Sequence, residues 1–113
     1  MAQVSLSQLV NAARQGTHLI SFPTDTVPAL ATRPDQSAMI FEAKQRDVGK
    51  PLILMGACAT DLWPYVAGSP VEQQIWQAVA AQYWPGALTL VLPASDRIPV
   101  AMNPANPTTL GIR

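Results

Sequence analysis

Apolar residues fall along this chain in short runs broken by turn residues, and the spacing inside each run separates helix from strand. Leu6, Leu9, Val10 and Ala13 share one helical face. Ser5-Leu6-Ser7-Gln8 reads as the capping box that opens this helix, and Gly16 stands where a helix C-terminal glycine belongs. Leu19-Ile20-Ser21-Phe22 predicts a short buried strand stopped by Pro23. Asp35 is expected to cap a second helix running through Gln45, with Met39, Ile40 and Ala43 facing inward. The unbroken apolar run Leu52-Ile53-Leu54-Met55 predicts a strand covered on both faces.

In the second half, Ser69-Pro70-Val71-Glu72 joins a capping box to proline at the first helical position. Val71, Ile75, Val79 and Tyr83 then recur every four residues. Trp84-Pro85-Gly86 ends that helix, and Leu88 to Leu92 is the next strand. Pro93 to Pro107 is expected to be loop with a short extended piece near Val100, and a last strand begins around Thr109. Helices alternating with strands make an α/β layered domain spanning residues 1–113. The strand-like ending at Arg113 leads to the expectation that the natural domain continues beyond it.

Composition sharpens this picture. Of 113 residues, 49% are hydrophobic and only 12% charged, about half the usual charged share, which favours a compact body over disorder. Eleven prolines and six glycines predict short elements and tight turns. The formal net charge of zero supplies no general attraction to nucleic acid or anionic membrane, so anion binding has to arise from local placement. The single Cys58 forms no internal disulfide, and no apolar run approaches the length of a membrane span; a cytoplasmic protein without membrane association is expected.

Candidate chemistry gathers at two places. Lys44, Arg46 and Lys50 put three of the seven basic residues within seven positions, next to the Leu52 strand. Lys44 in a last helical turn complements the helix dipole. The same cluster, in a loop at a strand edge, also suits phosphate oxygens. Pro23-Thr24-Asp25-Thr26 either closes a side-chain-bonded turn or presents hydroxyls and a carboxylate to a small polar substrate. Gly49-Lys50 is not a Walker loop, because Pro51 replaces the hydroxyl residue and the earlier glycine is absent. With no paired cysteines and one histidine, a tightly held transition metal is not expected, and no tightly bound cofactor is implied.

Four segments in register resemble the YrdC-like family, the threonylcarbamoyl-AMP synthases. They are Ser21-Phe22-Pro23-Thr24-Asp25-Thr26-Val27, Ala43-Lys44-Gln45-Arg46 through Lys50-Pro51-Leu52-Ile53, Trp84-Pro85-Gly86-Ala87-Leu88-Thr89-Leu90-Val91-Leu92, and Thr109-Leu110-Gly111-Ile112-Arg113. The resemblance implies the YrdC/RibB-like fold, a twisted, largely parallel or mixed sheet with helices packed on it, incomplete here at its C-terminus. It implies a nucleotidyltransferase that joins L-threonine, bicarbonate and ATP, the last with Mg2+, into threonylcarbamoyl-AMP and pyrophosphate. A partner threonylcarbamoyl transferase then carries the group to transfer RNA.

By the same resemblance, Thr26 and Arg113 contact the threonine and bicarbonate substrates, and Arg113 holds the carboxylate. Lys44 and Arg46 are the catalytic basic pair facing the nucleotide, with Lys50 and Thr109 as further nucleotide contacts. Two other readings share the fold: a non-catalytic relative that binds double-stranded or transfer RNA, and a carbamoyl-transfer domain of the hydrogenase-maturation type. The chain departs from the pattern at Pro28-Ala29, where the family continues with Tyr-Gly, and a reshaped pocket is expected there. Met55 replaces a histidine found in some members, and the family's Ser-Ala-Asn segment is expected beyond Arg113.

Overall fold

The computed structural model describes residues 3–44 and 50–113. The chain divides into two compact units, residues 1–47 and 48–113.

The first unit opens with α1 (Leu6–Gln15). Ser5 and Gln8 form the expected reciprocal box: the Gln8 amide donates to Ser5 Oγ at 3.2 Å, and the Ser5 amide to Gln8 Oε1 at 2.9 Å. Gly16 ends the helix at φ 71°, a left-handed conformation that a Cβ would strain. Arg33 Nη1 reaches back to the Arg14 carbonyl at 3.0 Å, satisfying one of the orphan acceptors of the last turn. Two strands follow, β1 (Ile20–Phe22) and β2 (Ala29–Ala31), antiparallel with Phe22 opposite Ala29. β2 carries no strand signal in the sequence, because Pro28 and two small alanines precede and fill it.

Asp35 is not a helix cap. It lies inside a 3-10 turn (Pro34–Gln36) and pairs with Arg33 through both carboxylate oxygens. The second helix, α2 (Ala38–Lys44), begins later, after the buried Ser37. Ile40 is its buried residue and Met39 is half-buried, whereas Ala43 is exposed. Leu6 and Val10 of α1 are also exposed, so the expected apolar face there is only partly covered.

The second unit holds a three-stranded mixed sheet in the order β3 (Ile53–Leu54), β5 (Thr109–Ile112), β4 (Leu90–Pro93). β3 runs parallel to β5 with Ile53 opposite Gly111; β4 runs antiparallel with Val91 opposite the same glycine. Between β3 and β4 come α3 (Ala59–Leu62), a 3-10 turn (Trp63–Tyr65) and α4 (Pro70–Tyr83). The box at Ser69 and Glu72 is present, with Pro70 in the first turn, as read from the sequence. The expected extended piece near Val100 is instead a 3-10 turn (Val100–Met102).

Strand alternation gives the sheet one covered face. Leu54, Leu92, Leu110 and Ile112 pack with Leu62, Val66 and Met102 into the core, and Trp63, Trp76 and Trp84 close around them. The opposite face is open, with Val91 71% exposed and Ile53 51%. The run Leu52–Met55 is therefore covered on one side only. The four-residue stripe of α4 also points outward at Val71, Ile75 and Tyr83; its buried side carries Ala80, with Trp76 against the core. Among the described residues no helix is long and apolar enough to cross a membrane.

Candidate functional site

In the first unit the loop between β1 and β2 carries the Thr-Asp-Thr segment. The Thr24 hydroxyl donates to the Val27 carbonyl and accepts the Thr26 amide at 3.2 Å. It also lies 3.3 Å from the Thr26 hydroxyl. With its one proton given to Val27, Thr24 can act only as an acceptor at that contact. Thr24 thus closes the turn, and Asp25, Thr26 and Val27 are exposed at its tip. The turn and the presenting site are the same object: one threonine builds the bend that displays the other. Ala29 sits in the β1–β2 ladder opposite Phe22, an extended position that any residue adopts, so it requires no glycine here.

Lys44 is the exposed last residue of α2, also in the first unit. Arg46 lies outside the described residues.

The second unit holds Lys50, Thr109 and Arg113. Thr109, Gly111 and Arg113 alternate with the buried Leu110 and Ile112, which places them on the open face of the sheet. Thr109 and Arg113 stand four residues apart, about 13 Å along an extended strand. Lys50 is exposed and precedes β3 at the end where β5 also begins, the end of Thr109, because the two strands are parallel. Gly111 forms the floor between Thr109 and Arg113. A Cβ there would meet Thr89 Cγ2 at 3.4 Å and Ile53 Cγ1 at 3.6 Å, ordinary contacts.

Each end of this strip is held by a group supplied from a loop. At one end the buried Asn103 donates from Nδ2 to Thr109 Oγ1 at 3.1 Å, and Thr109 Oγ1 donates in turn to the Asn106 carbonyl at 3.4 Å. Asn103 Oδ1 accepts the Asn106 amide at 3.2 Å. A hydroxyl whose proton is committed meets a ligand as an acceptor, so Thr109 suits an amino or hydroxyl group of a nucleoside better than a phosphate oxygen. At the other end Arg113 Nε donates to the Gly86 carbonyl at 3.1 Å, and the Arg113 amide donates to Leu54 O at 3.0 Å. The asparagines were legible only as loop formers and Gly86 only as a turn residue, because the partner of its carbonyl lies 27 residues away. Among the described residues no three His, Cys, Asp or Glu side chains group to hold a metal ion.

Residues 11–113 match the Sua5/YciO/YrdC family, described as "Telomere recombination". A threonylcarbamoyl-AMP synthase of Vibrio parahaemolyticus is 36% identical over 97 residues, covering 83% of this chain and 51% of that protein. The chain thus spans about half the length of this curated relative. Among solved structures, P. abyssi Sua5 complexed with L-threonine superposes with a TM-score of 0.76 at 33% identity, over 91% of this chain and 30% of that one. E. coli YciO superposes with a TM-score of 0.72 at 24% identity, over 94% of this chain and 50% of that one, a likeness of fold.

Proposed function

Since the chain belongs to the Sua5/YciO/YrdC family, we propose that it serves the synthesis of threonylcarbamoyl-AMP from L-threonine, bicarbonate and ATP. The observation that carries this reading is the shared open face of β5, where Arg113 and Thr109 flank a glycine floor. A guanidinium matches a carboxylate in both charge and geometry, which makes Arg113 the residue for the threonine carboxylate. A relative crystallised with L-threonine supports the choice of amino acid. Thr26, displayed at its loop tip, contacts the threonine substrate through its hydroxyl. Thr109 accepts from the nucleoside, and Lys50, near it in the strand order, offsets phosphate charge. Lys44 and Arg46 neutralise the triphosphate and the departing pyrophosphate.

No protein nucleophile is required. The threonine amine adds to bicarbonate and water leaves, giving a carbamate; a carbamate oxygen attacks the α-phosphorus of ATP, forming the mixed anhydride as the bond to pyrophosphate breaks. Such a step is chiefly positioning and charge neutralisation. Magnesium is assigned to the triphosphate itself, not to a protein site. The product then passes to a partner transferase acting on transfer RNA.

The test is incubation of the chain with ATP, bicarbonate and labelled L-threonine. Threonine-dependent pyrophosphate and a labelled adenylate are expected. Neither product, together with salt-dependent retention of RNA, would replace this reading with a non-catalytic RNA-binding one.

A further inference from the structure

The turn that follows α4 is fixed from two sides. The Trp84 indole stacks on Trp63 with ring centroids 5.8 Å apart and planes 22° from parallel. Its ring nitrogen donates to the Leu88 carbonyl at 2.8 Å, closing the turn on itself. Gly86 lies inside that closure, and its carbonyl accepts from Arg113 Nε at 3.1 Å. The turn is also tight: a Cβ at Gly86 would stand 2.7 Å from the Tyr83 carbonyl oxygen, a backbone atom that cannot swing aside.

A guanidinium is planar, so a hydrogen bond at Nε fixes the direction in which the rest of the plane points. The side-on mode, in which Nε and one Nη grip a carboxylate together, is closed to an arginine whose Nε already serves a carbonyl. A carboxylate that such an arginine receives is met end-on, at the Nη1 and Nη2 edge of the plane.

We infer that the Trp84-Pro85-Gly86 turn is a positioning device for Arg113, acting through the Gly86 carbonyl, and that it sets the guanidinium to receive a substrate carboxylate end-on. Trp84 and Gly86 touch no substrate in this arrangement; they are positioning residues. The inference rests on the proposed threonine site for the identity of the ligand, but not for the orientation of the arginine.

Two measurements on the whole chain separate these. The first needs no ligand. In protein labelled with 15N and 13C, Arg113 Nε–H should exchange slowly and show a scalar coupling across the hydrogen bond to the Gly86 carbonyl carbon. Exchange as fast as that of the exposed Arg14 and Arg97 would overturn the inference. The second is titration with L-threonine and with L-threoninamide, which lacks the carboxylate. Trp84→Phe keeps a ring to stack on Trp63 while deleting the donor to Leu88 and part of the indole's packing; Gly86→Ala displaces the carbonyl itself. With cooperative unfolding retained, each should weaken threonine on the order of tenfold, the worth of a hydrogen bond to a charged group. Neither should change the already poor binding of threoninamide. Unchanged threonine affinity in the folded Trp84→Phe protein would overturn the inference. Failure of the unaltered chain to bind threonine would instead sink the proposed function, and the Nε coupling would still decide the orientation.

Discussion

The side-chain amide of the buried Asn103 donates to the Thr109 hydroxyl at 3.1 Å, tying the loop before β5 to the first residue of that strand. Thr109 therefore has a structural role beside the nucleoside contact proposed for it, and substitution separates the two. Thr109→Val keeps the shape and removes the hydroxyl, leaving the Asn103 amide only its long 3.5 Å contact to the Thr109 carbonyl. A loss of about 1–2 kcal/mol in urea unfolding is expected, since an abandoned buried donor costs its desolvation. Thr109→Ser should restore most of it. Equal stability of the two variants would show that the Asn103 bond contributes nothing.

Gly111 makes the opposite separation. The contacts that a Cβ would meet there are ordinary, at 3.4 and 3.6 Å, and strand glycines cost conformational entropy. Gly111→Ala should leave stability unchanged or raise it by about 0.5 kcal/mol. The added methyl would rise from the floor between Thr109 and Arg113 and weaken substrate binding. Calorimetric titration beside thermal unfolding tests this; a variant binding as the parent does would remove the open face from the site.

Lys44 is exposed at the end of α2, so its loss should leave the fold intact. Lys44→Ala and Arg46→Ala should each cost about 3–4 kcal/mol of transition-state stabilisation, roughly 10²–10³-fold in kcat. Steady-state pyrophosphate release measures it, and activity surviving both changes would remove their assigned role.

Glu72 supplies a pH signature unconnected with catalysis. The Ser69 backbone amide, and then its hydroxyl, hold the Glu72 carboxyl below the ordinary glutamate value. A lowered folded-state pKa means that the charged form is favoured on folding. The contribution is present above the ordinary glutamate pKa of about 4.3 and is lost as the pH falls through the lowered value. Glu72→Gln keeps the geometry of the box without a titrating group. The stability gap between parent and variant should therefore shrink as the pH is lowered through that window, read by urea midpoints; a gap independent of pH would contradict the assignment.

What the sequence made legible was local. The boxes at Ser5 and Ser69 and the left-handed Gly16 depend on neighbours within four residues, and they stand where the spacing put them. Faces were less legible, because they are decided by what packs against them. The stripe Val71, Ile75, Val79 and Tyr83 steps by four residues, as do Trp76 and Ala80, yet the core takes the latter while Val71, Ile75 and Tyr83 stay exposed. Asp35 looked like a cap, but Arg33 two residues earlier captures its carboxylate and the helix starts later. In the candidate site, strand alternation alone puts Thr109 and Arg113 on one face. The groups that hold them, Asn103 and the Gly86 carbonyl, are supplied by folded loops and leave no periodic trace.

The central claim is that substrate lies on the open face of β5. The most direct measurement is a titration of the 15N-labelled chain with L-threonine and ATP, following backbone amides. The account predicts saturable shifts at Lys50 and at Thr109 through Arg113, with further shifts at Thr26 and Lys44. Shifts confined to the exposed stripe of α4, or none at saturating ligand, would contradict it.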